Sequence, residues 1–235
     1  MTDKLGFSEM SGKVLVSIII PVLNESVSIE NCLRPLQHLR GDGYQIIAAD
    51  GGSDDGSVDL LTPLVDTVVS CNPGRGNQMN AGAAQAVGQW LLFLHADTYL
   101  PGTSQIKTVL TETSRLWGFF PVRLSGSHFM FRIIERAISW RSQLSSVATG
   151  DQGIFIRKDI FTQVGGFPSV ALMEDVAMSK RLRKKGSPLC WPEPVMTSSR
   201  RWEQYGIFKT VFLMWRLRFL YFLGIRPEKL QQLYR

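Results

Sequence analysis

The chain has 235 residues, of which 44% are hydrophobic and 20% are charged, and its formal net charge at pH 7 is +6. This composition is that of a folded globular protein and excludes a disordered chain, and the length fits one large α/β domain better than two domains. The positive charge favours anionic partners, but nucleic acid is not expected because the sequence has no zinc-finger spacing and no RNA-binding aromatic motif.

Two features of the sequence bear on its cellular compartment. The three cysteines, Cys32, Cys71 and Cys190, are widely spaced and odd in number, which predicts unpaired thiols in a reducing cytoplasm. The apolar run from Val14 to Leu23 is too short to span a bilayer and leads into Asn-Glu rather than a small-residue cleavage site. This run therefore predicts a strand and not a signal peptide.

The first half of the chain alternates strand and helix patterns. β-branched and apolar runs predict the strands, and a helix runs through Arg34 to Leu39 with Asn24 or Ser26 as its cap. Such alternation is typical of βαβ units with a parallel sheet. The predicted strands are Val14–Val22, Tyr44–Asp50, Thr67–Ser70 and Trp90–Leu94, and an alanine-rich helix is predicted over Asn77–Val87.

Polar residues follow three of these strands directly. They are Asn24-Glu25, Asp50 and the segment from His95 to Asp97. Each has an alternative explanation as a turn former. The carboxyl ends of parallel strands meet at one edge of a sheet, where ligands bind, so the recurrence of polar ends predicts a ligand crevice.

The second half of the chain is less regular. Amphipathic or charged patterns predict helices over Ser127–Val147, Glu174–Lys185 and Gly206–Leu223, with Gly224 as the C-cap of the last one. A strand is predicted over Gly153–Ile156.

A series of motifs along the chain resembles the family-2 glycosyltransferases with the GT-A fold. The motifs are, in order, SIIIPVLNES, AADGGSDDGS, GRGNQMNAGAAQA, LLFLHADT, GDQGIFIRK, VGGFP, LMEDVAMSKRLRKKG and SSRRWE. They look closest to a small bacterial branch of selenodomain-associated or arsenosugar-type transferases. The resemblance implies an α/β GT-A fold, with a Rossmann-like, mostly parallel nucleotide-binding sheet flanked by helices and a C-terminal helical extension. It also implies one domain over 1–235, with a nucleotide-sugar half (14–100), an acceptor and catalytic half (101–205) and an amphipathic helical segment (206–235).

The resemblance implies a nucleotide-sugar donor, with UDP as the nucleotide. Asp50 matches an aspartate that commonly contacts the pyrimidine, but Gly51 stands where many relatives have a second aspartate, and the glutamine often found before the Arg-Trp element is not evident. Arg75 would make paired bonds to phosphate oxygens, and Trp202 would either stack on the sugar or anchor its loop by packing. The donor-binding positions are Pro21, Asn24, Glu25, Asp50, Gly51, Ser53, Arg75, Asn77, Gln78, His95, Ala96, Arg200, Arg201 and Trp202.

The segment His95-Ala96-Asp97 occupies the place of the family's Asp-X-Asp motif, with histidine replacing the first aspartate. A departing nucleoside diphosphate develops negative charge, which an oxygen-ligated Mn²⁺ or Mg²⁺ neutralises. Asp97 is the carboxylate expected to hold that ion. For His95 three roles stay open, namely metal ligation, contact with the donor sugar, and completion of the strand.

The pair Glu174-Asp175 matches the family's Glu-Asp motif. Transfer with inversion requires a base within hydrogen-bond reach of the acceptor hydroxyl, and Asp175 is expected to be that base. The alternative is that both acids merely begin a helix, where the helix dipole favours negative charge. Asp151, with Gln152 beside it, is expected to orient sugar or acceptor hydroxyls.

These residues predict an inverting, metal-dependent glycosyltransferase with an unknown acceptor, located in the cytoplasm or peripherally on the inner face of the membrane. The segment Gly206–Leu223 can cover the core, form a dimer contact or lie in a membrane interface, but its arginines argue against spanning. Two alternatives stay open. One is a non-catalytic nucleotide- or membrane-binding module. The other is a sugar-nucleotide nucleotidyltransferase, an enzyme that requires a glycine-rich loop after the first strand.

Overall fold

The computed structural model of the protein describes residues 15–100 and 105–234. Its strands are β1 (Val16–Val22), β2 (Tyr44–Asp50), β3 (Thr67–Ser70), β4 (Trp90–Phe93), β5 (Thr98–Tyr99), β6 (Trp117–Phe119), β7 (Val122–Leu124), β8 (Ile154–Arg157), β9 (Leu189–Cys190) and β10 (Val195–Thr197). Its helices are α1 (Ile29–Leu33), α2 (Ser57–Leu61), α3 (Arg75–Gln85), α4 (Ile106–Glu112), α5 (Phe129–Ser145), α6 (Lys158–Gln163), α7 (Glu174–Leu182), α8 (Arg200–Tyr205), α9 (Ile207–Phe222) and α10 (Pro227–Tyr234).

The central sheet has the strand order β3-β2-β1-β4-β8-β6-β9. Its first four strands run parallel, with Val22 of β1 opposite Asp50 of β2, and β8 runs antiparallel to both β4 and β6. Every residue of β1 is buried, as expected for a parallel strand covered on both faces. The predicted parallel sheet and the common edge of its strand ends are therefore confirmed.

Alternate residues of the central strands feed two hydrophobic clusters, one on each face of the sheet. Ile18 and Ile46 belong to one cluster, whereas Ile19 and Ile47 belong to the other. Each such buried side chain contributes about 1.5–3 kcal/mol of hydrophobic stabilisation. A second, three-stranded sheet has the order β5-β10-β7.

Several predicted elements differ in detail from the structure. The segment Arg34–Leu39 is a 3₁₀ helix that follows α1, because Pro35 in its first turn removes a backbone donor. Asn24 and Ser26 do not cap α1, whose N-cap is Ser28; Asn24 instead adopts a left-handed conformation with φ of 56°. The predicted start of the first strand, residue 14, lies outside the described residues.

The C-terminal helices pack on the second half of the chain. Leu217 of α9 and Leu230 of α10 form a buried cluster with Met173 and Val176. Gly224 follows α9 with φ of +83°, as its predicted role at the helix end requires. Across residues 15–100 and 105–234, no helix is both long enough and apolar enough to cross a bilayer.

Candidate active site

The crevice begins where the loops after β1 and β2 are joined by hydrogen bonds. The backbone amide of Asn24 donates to Oγ of Ser53 at 3.0 Å, and that of Glu25 donates to Oγ of Ser57 at 2.8 Å. The carbonyl oxygen of the Asn24 side chain accepts a hydrogen bond from the amide of Asp54 at 3.0 Å. Because each loop satisfies donors of the other, the two loops form one fixed wall of the crevice.

Asp50 ends β2 and is only 5% exposed. Its Oδ1 accepts hydrogen bonds from Oγ of Ser53 at 2.6 Å and from the Ser53 amide at 3.1 Å, and its Oδ2 accepts one from the amide of Gly52 at 3.0 Å. Pro21 and Gly51 are buried beside it. Asp50 therefore shapes the loop that is predicted to hold the base.

Gln78 lies in the interior instead of the crevice. Its Nε2 donates to the carbonyl oxygens of Val22 at 2.6 Å and Ala49 at 3.0 Å, so it links the ends of β1 and β2. A Cβ added to Gly51 would lie 3.1 Å from this amide and 3.2 Å from Cα of Pro73. The structure thus gives Gln78 a supporting role and leaves little space for a side chain at Gly51.

Two predicted donor residues stand at the beginning of α3. Asn77 is tied to its surroundings, with Nδ2 donating to the Pro73 carbonyl and Oδ1 accepting from Ser169 Oγ. Arg75 is exposed and begins the helix. Partial desolvation lowers the pKa of Arg75. The neighbouring charges of Glu174 and Asp175 and the hydrogen bond that Arg75 donates to Tyr234 raise it, so its net pKa lies above the ordinary value.

Asp97 lies among other charged groups of the crevice. Burial raises the pKa of Asp97, and the charges of Glu25 and Asp151 raise it further, whereas Arg75 opposes them. Such crowding of carboxylates is relieved by a cation. Among residues 15–100 and 105–234, however, no group of three His, Cys, Asp or Glu side chains is arranged to hold a metal ion by itself.

His95 lies behind this carboxylate in a small pocket. Met79, Phe93, Ile154 and Phe167 line it together with Gly150 and Asp175. A Cβ on Gly150 would stand 2.4 Å from Nε2 of His95, which is buried and has no hydrogen-bond partner in the described chain. Burial, together with the charge of Arg75, lowers the pKa of His95 to about 3, so the ring is neutral at pH 7. Ala96 is buried next to it.

Glu174 and Asp175 begin α7, directly after Met173, which takes a left-handed conformation with φ of 70°. Oδ2 of Asp175 accepts a hydrogen bond from the amide of Gly150 at 2.7 Å, and Oδ1 accepts one from the amide of Val176 at 2.6 Å. Burial and then the charge of Asp175 raise the pKa of Glu174 to about 7, against the effect of Arg75. Glu174 is therefore the carboxyl group that changes charge near neutral pH.

The turn Gly150–Gln152 connects the acid pair to β8. Gln152 is buried, and its Oε1 accepts hydrogen bonds from Oγ of Ser142 at 2.8 Å and from the amide of Thr149 at 3.0 Å. Gln152 thus fixes the turn. Asp151 is half-buried, and its charge acts on Asp97 on one side and on two arginines of the acceptor half on the other.

The Arg-Arg-Trp element forms the first turn of α8. Arg200 is exposed, whereas Nη2 of Arg201 donates to the carbonyl of Tyr234 at 2.7 Å and its guanidinium lies 3.8 Å from the centre of the Tyr234 ring. Trp202 packs in a cluster with Phe131 and Ile207. The structure thus places Trp202 in a packing role, while Tyr234 connects Arg201 with Arg75.

Three residues of the crevice region were not predicted from the sequence as site residues, namely Arg141, Arg218 and Tyr234. Arg141 lies on α5 and Arg218 on α9. The negative charges of Asp151 and Asp175 raise the pKa of both arginines, against the larger effect of burial. Arg75 donates a hydrogen bond to the hydroxyl of Tyr234, which lies in a helix about 160 residues further along the chain. Only the packing of α5, α9 and α10 brings these residues to the crevice, and no spacing in the sequence signals it.

Comparison with known proteins places this arrangement in a family. Residues 17–156 match the family described as "Glycosyl transferase family 2". An undecaprenyl-phosphate 4-deoxy-4-formamido-L-arabinose transferase from Enterobacter sp. is 28% identical over 166 residues, which are 60% of this chain and 47% of that protein. A PGL/p-HBAD biosynthesis glycosyltransferase from Mycobacterium bovis is 31% identical over 93 residues, which are 37% of this chain and 36% of that protein. The chain thus spans between about a third and a half of these curated relatives.

Solved structures resemble the fold at low sequence identity. The Pyrobaculum calidifontis mannosyltransferase PcManGT, in complex with GDP-Man and Mn²⁺, superposes with a TM-score of 0.58 at 18% identity, over 80% of this chain and 57% of that one. S. aureus TarS in complex with UDP-GlcNAc superposes with a TM-score of 0.60 at 17% identity, over 78% of this chain and 58% of that one. These neighbours confirm the GT-A fold predicted from the motifs.

Proposed function

We propose that this chain, which belongs to glycosyl transferase family 2, is an inverting glycosyltransferase that moves a sugar from a UDP-linked donor to an acceptor hydroxyl. One observation supports this most directly. Asp97, Asp151 and the pair Glu174-Asp175 come from distant parts of the chain and influence one another, together with Arg75, at the carboxyl edge of one parallel sheet. The motif order further supports membership of the small selenodomain-associated or arsenosugar-type branch, a naming that does not fix the acceptor.

In this proposal residues 14–100 bind the nucleotide part of the donor. Asp50 and the joined loops after β1 and β2 hold the base and ribose, which their mutual hydrogen bonds support. The diphosphate lies near Arg75 and Arg201, since guanidinium groups make paired bonds to phosphate oxygens. Arg75 stands at the beginning of α3, where the helix dipole also favours an anion.

The carboxylate of Asp97 holds a divalent Mn²⁺ or Mg²⁺ in this proposal. Such ions are often bound by one or two carboxylates and completed by substrate phosphates, which suits a crevice that offers Asp97 and lacks a three-ligand cluster among its described residues. The raised pKa of Asp97, caused by burial and then by Glu25, supports this assignment, because a cation beside the carboxylate would stabilise its charged form. The ion, when bound, neutralises charge that develops on the departing diphosphate. His95 faces Gly150 in its own pocket, so we assign the metal to Asp97 alone.

Asp175 accepts the proton of the acceptor hydroxyl during transfer. The oxygen of that hydroxyl forms a bond to the anomeric carbon as the bond to the diphosphate breaks, and the electron pair of the broken bond leaves with the nucleoside diphosphate. The proton moves to a carboxylate oxygen of Asp175. The hydrogen bonds from the amides of Gly150 and Val176 keep this carboxylate in a fixed orientation.

A second proposal is that α9 docks on the inner face of the cytoplasmic membrane. Five aromatic side chains along one face of this helix are between 61% and 78% exposed; they are Phe208, Phe212, Trp215, Phe219 and Phe222. Lys209 and Arg216 are exposed beside them. Exposed aromatic rings with flanking cations are typical of helices that lie in a lipid interface.

Flotation with vesicles of phosphatidylglycerol and phosphatidylcholine tests this docking. We expect the wild-type protein to float and the double variant Trp215→Ser, Phe219→Ser to remain in the aqueous fraction. Val87→Ser, which removes an apolar side chain that is 64% exposed elsewhere on the molecule, is the matched control and should float. Equal flotation of all three proteins would contradict the docking proposal.

The donor assignment is tested by thermal unfolding with UDP, GDP, CDP and dTDP, each with and without Mn²⁺. A ligand that binds only the folded protein raises its melting temperature. We expect a metal-dependent rise with UDP that disappears in Asp97→Ala and persists in the control Asp59→Ala, whose side chain is exposed on α2. A rise with another nucleotide would correct the donor, and no rise with any nucleotide would favour a binding module without transferase activity.

A further inference from the structure

Two guanidinium groups in the acceptor half are buried without sufficient partners. Nε of Arg141 and Nη2 of Arg218 are inaccessible to solvent and have no hydrogen-bond partner in the described chain. Nη2 of Arg141 donates only to Oγ of the adjacent Ser142, at 2.9 Å. Within residues 15–100 and 105–234, neither guanidinium approaches a carboxylate closely enough for an ion pair, whereas four other arginines do so.

Such an arrangement is costly without a ligand. Removing a cation from water is unfavourable unless a counter-charge and hydrogen bonds replace the lost hydration. Burial lowers the pKa of Arg141 to about 10, with the charge of Arg218 contributing, and burial also lowers the pKa of Arg218. Both side chains nevertheless remain cations at pH 7, so the protein holds two neighbouring positive charges with unused donors.

The location of the pair distinguishes it from the donor side of the crevice. Arg141 projects from α5 and Arg218 from α9, and these helices pack through Ile134 and Ile138 against Ile207 and Val211. The two guanidinium groups interact electrostatically with Asp151 and Asp175, the residues assigned to the acceptor. Both helices expose large apolar side chains, including Trp140 of α5 and Trp215 of α9, which are both about 70% exposed.

We propose that Arg141 and Arg218 bind a phosphate monoester group carried by the acceptor. Two guanidiniums supply paired donors that match phosphate oxygens, and a dianion would satisfy both unpartnered N–H groups and neutralise both charges. The identification of this ligand as the acceptor rests on the proposed function, whereas the binding of a phosphate group by the two arginines does not. The phosphate belongs either to a soluble ester or to a lipid, and the apolar helix faces beside the pair suit a hydrocarbon chain.

The test measures binding of three probes to the full chain by calorimetry, with saturating UDP and Mn²⁺ present so that the diphosphate position is filled. The probes are inorganic phosphate, geranyl phosphate and geraniol. We expect geranyl phosphate to bind and geraniol to bind at least about tenfold more weakly, because charge-assisted hydrogen bonds contribute most of the affinity. Equal affinity for inorganic phosphate and geranyl phosphate would assign the site to soluble phosphates, whereas stronger binding of geranyl phosphate would assign it to lipid phosphates.

Matched arginine variants locate the bound phosphate. Arg141→Gln and Arg218→Gln should each weaken geranyl phosphate about tenfold or more, and Arg141→Lys and Arg218→Lys should recover part of the loss. Arg216→Gln, on the exposed side of α9, should bind as the wild type does. Unchanged binding in both Gln variants, or loss only in Arg75→Gln, would overturn the proposal, because the anion would then lie elsewhere.

A measurement on the wild-type protein covers the case in which these variants fail to fold. The ¹H–¹⁵N resonance of Arg141 Nε, identified by its absence in Arg141→Lys or, if that variant does not fold, by selective assignment, should shift when geranyl phosphate is added. An unchanged resonance at saturation would overturn the proposal. If the nucleotides fail to bind but this resonance shifts, the donor assignment is wrong and the phosphate site stands; the reverse result removes the phosphate site alone.

Discussion

The two halves of the crevice differ in how far the protein satisfies its own polar groups. On the donor side, Asp50, Asn24 and Gln78 all have their hydrogen bonds supplied by neighbouring loops and strands. Around Asp175, three buried atoms have no partner among the described residues, namely Nε2 of His95, Nε of Arg141 and Nη2 of Arg218. All three side chains lie close to Asp175, either in its pocket or within reach of its charge.

This difference indicates a division of tasks. A wall whose polar groups are satisfied internally is rigid and can hold a nucleotide with little reorganisation. Groups that are left unsatisfied lower the stability of the free protein, and a ligand that completes them regains that free energy on binding. We therefore expect substitutions on the donor side to act mainly on stability, and substitutions around Asp175 to act mainly on turnover and on pH dependence.

The largest expected effect is on turnover, in Asp175→Asn. Removing a general base lowers kcat by about 10²- to 10⁴-fold, while binding of the donor should not change because Asp175 lies on the acceptor side. Steady-state hydrolysis of the donor and titration with UDP measure the two quantities. Asp59→Asn on α2 is the control and should match the wild type; wild-type turnover in Asp175→Asn would show that another group is the base.

The next effect is a pH dependence of stability caused by Glu174. Its pKa rises from 4.5 to about 7 on folding because of burial and the charge of Asp175. Between these values the folded protein binds more protons than the unfolded one, so stability falls as the pH rises from about 4.5 to 7. The loss attributable to Glu174 is at most about 3.5 kcal/mol, since one pKa unit corresponds to about 1.4 kcal/mol.

Urea unfolding at pH 5 and pH 8 compares the wild type with Glu174→Gln. The variant should lose less stability over this range, because its side chain does not titrate. Glu228→Gln, an exposed residue of α10, should follow the wild type. Parallel losses in the wild type and Glu174→Gln would mean that Glu174 is not protonated at pH 5 in the folded protein.

A smaller effect is expected on the donor side, in Gln78→Ala. The carbonyl oxygens of Val22 and Ala49 would lose their side-chain donor while remaining buried, which costs about 1–3 kcal/mol in the free energy of unfolding. The control is Gln85→Ala at the exposed end of the same helix, which should change stability by less than about 0.5 kcal/mol. Equal stability of the two variants would contradict the supporting role of Gln78.

The smallest expected difference concerns Met173, which precedes the acid pair in a left-handed conformation. Both Met173→Gly and Met173→Ala remove the same buried side chain. Glycine tolerates this conformation, so we expect the glycine variant to be more stable than the alanine variant by about 1 kcal/mol. Thermal unfolding of the two proteins measures the difference, and a more stable alanine variant would show that the backbone relaxes at this position.

The sequence predicted the donor half well because its signals are local. Each of the strands β1, β2 and β4 is a mostly apolar run followed by a polar cluster. Pairing in the parallel sheet brings these ends together. Glu174 and Asp175 were also found, because a motif marked them. The fold class followed from the order of the motifs.

The acceptor half was predicted poorly because its structure depends on distant contacts. Strands β5, β6, β7, β9 and β10 have only two or three residues each, which is too short for a periodic pattern. Arg218 lies in a helix that the sequence describes only as apolar and basic, and its position beside Asp175 arises from packing against α5 and α10. Gln78 was expected in the crevice because sequence does not indicate which way a polar side chain points.

The close packing of Gly51 against Gln78 also bears on how this site can evolve. A side chain at position 51 needs the space now filled by the amide of residue 78 and by Cα of Pro73. Residues 51 and 78 should therefore vary together among proteins that share this fold. In a lineage that gains an aspartate at position 51, we expect residue 78 to shift or to become smaller, and the ends of β1 and β2 then need another hydrogen-bond donor.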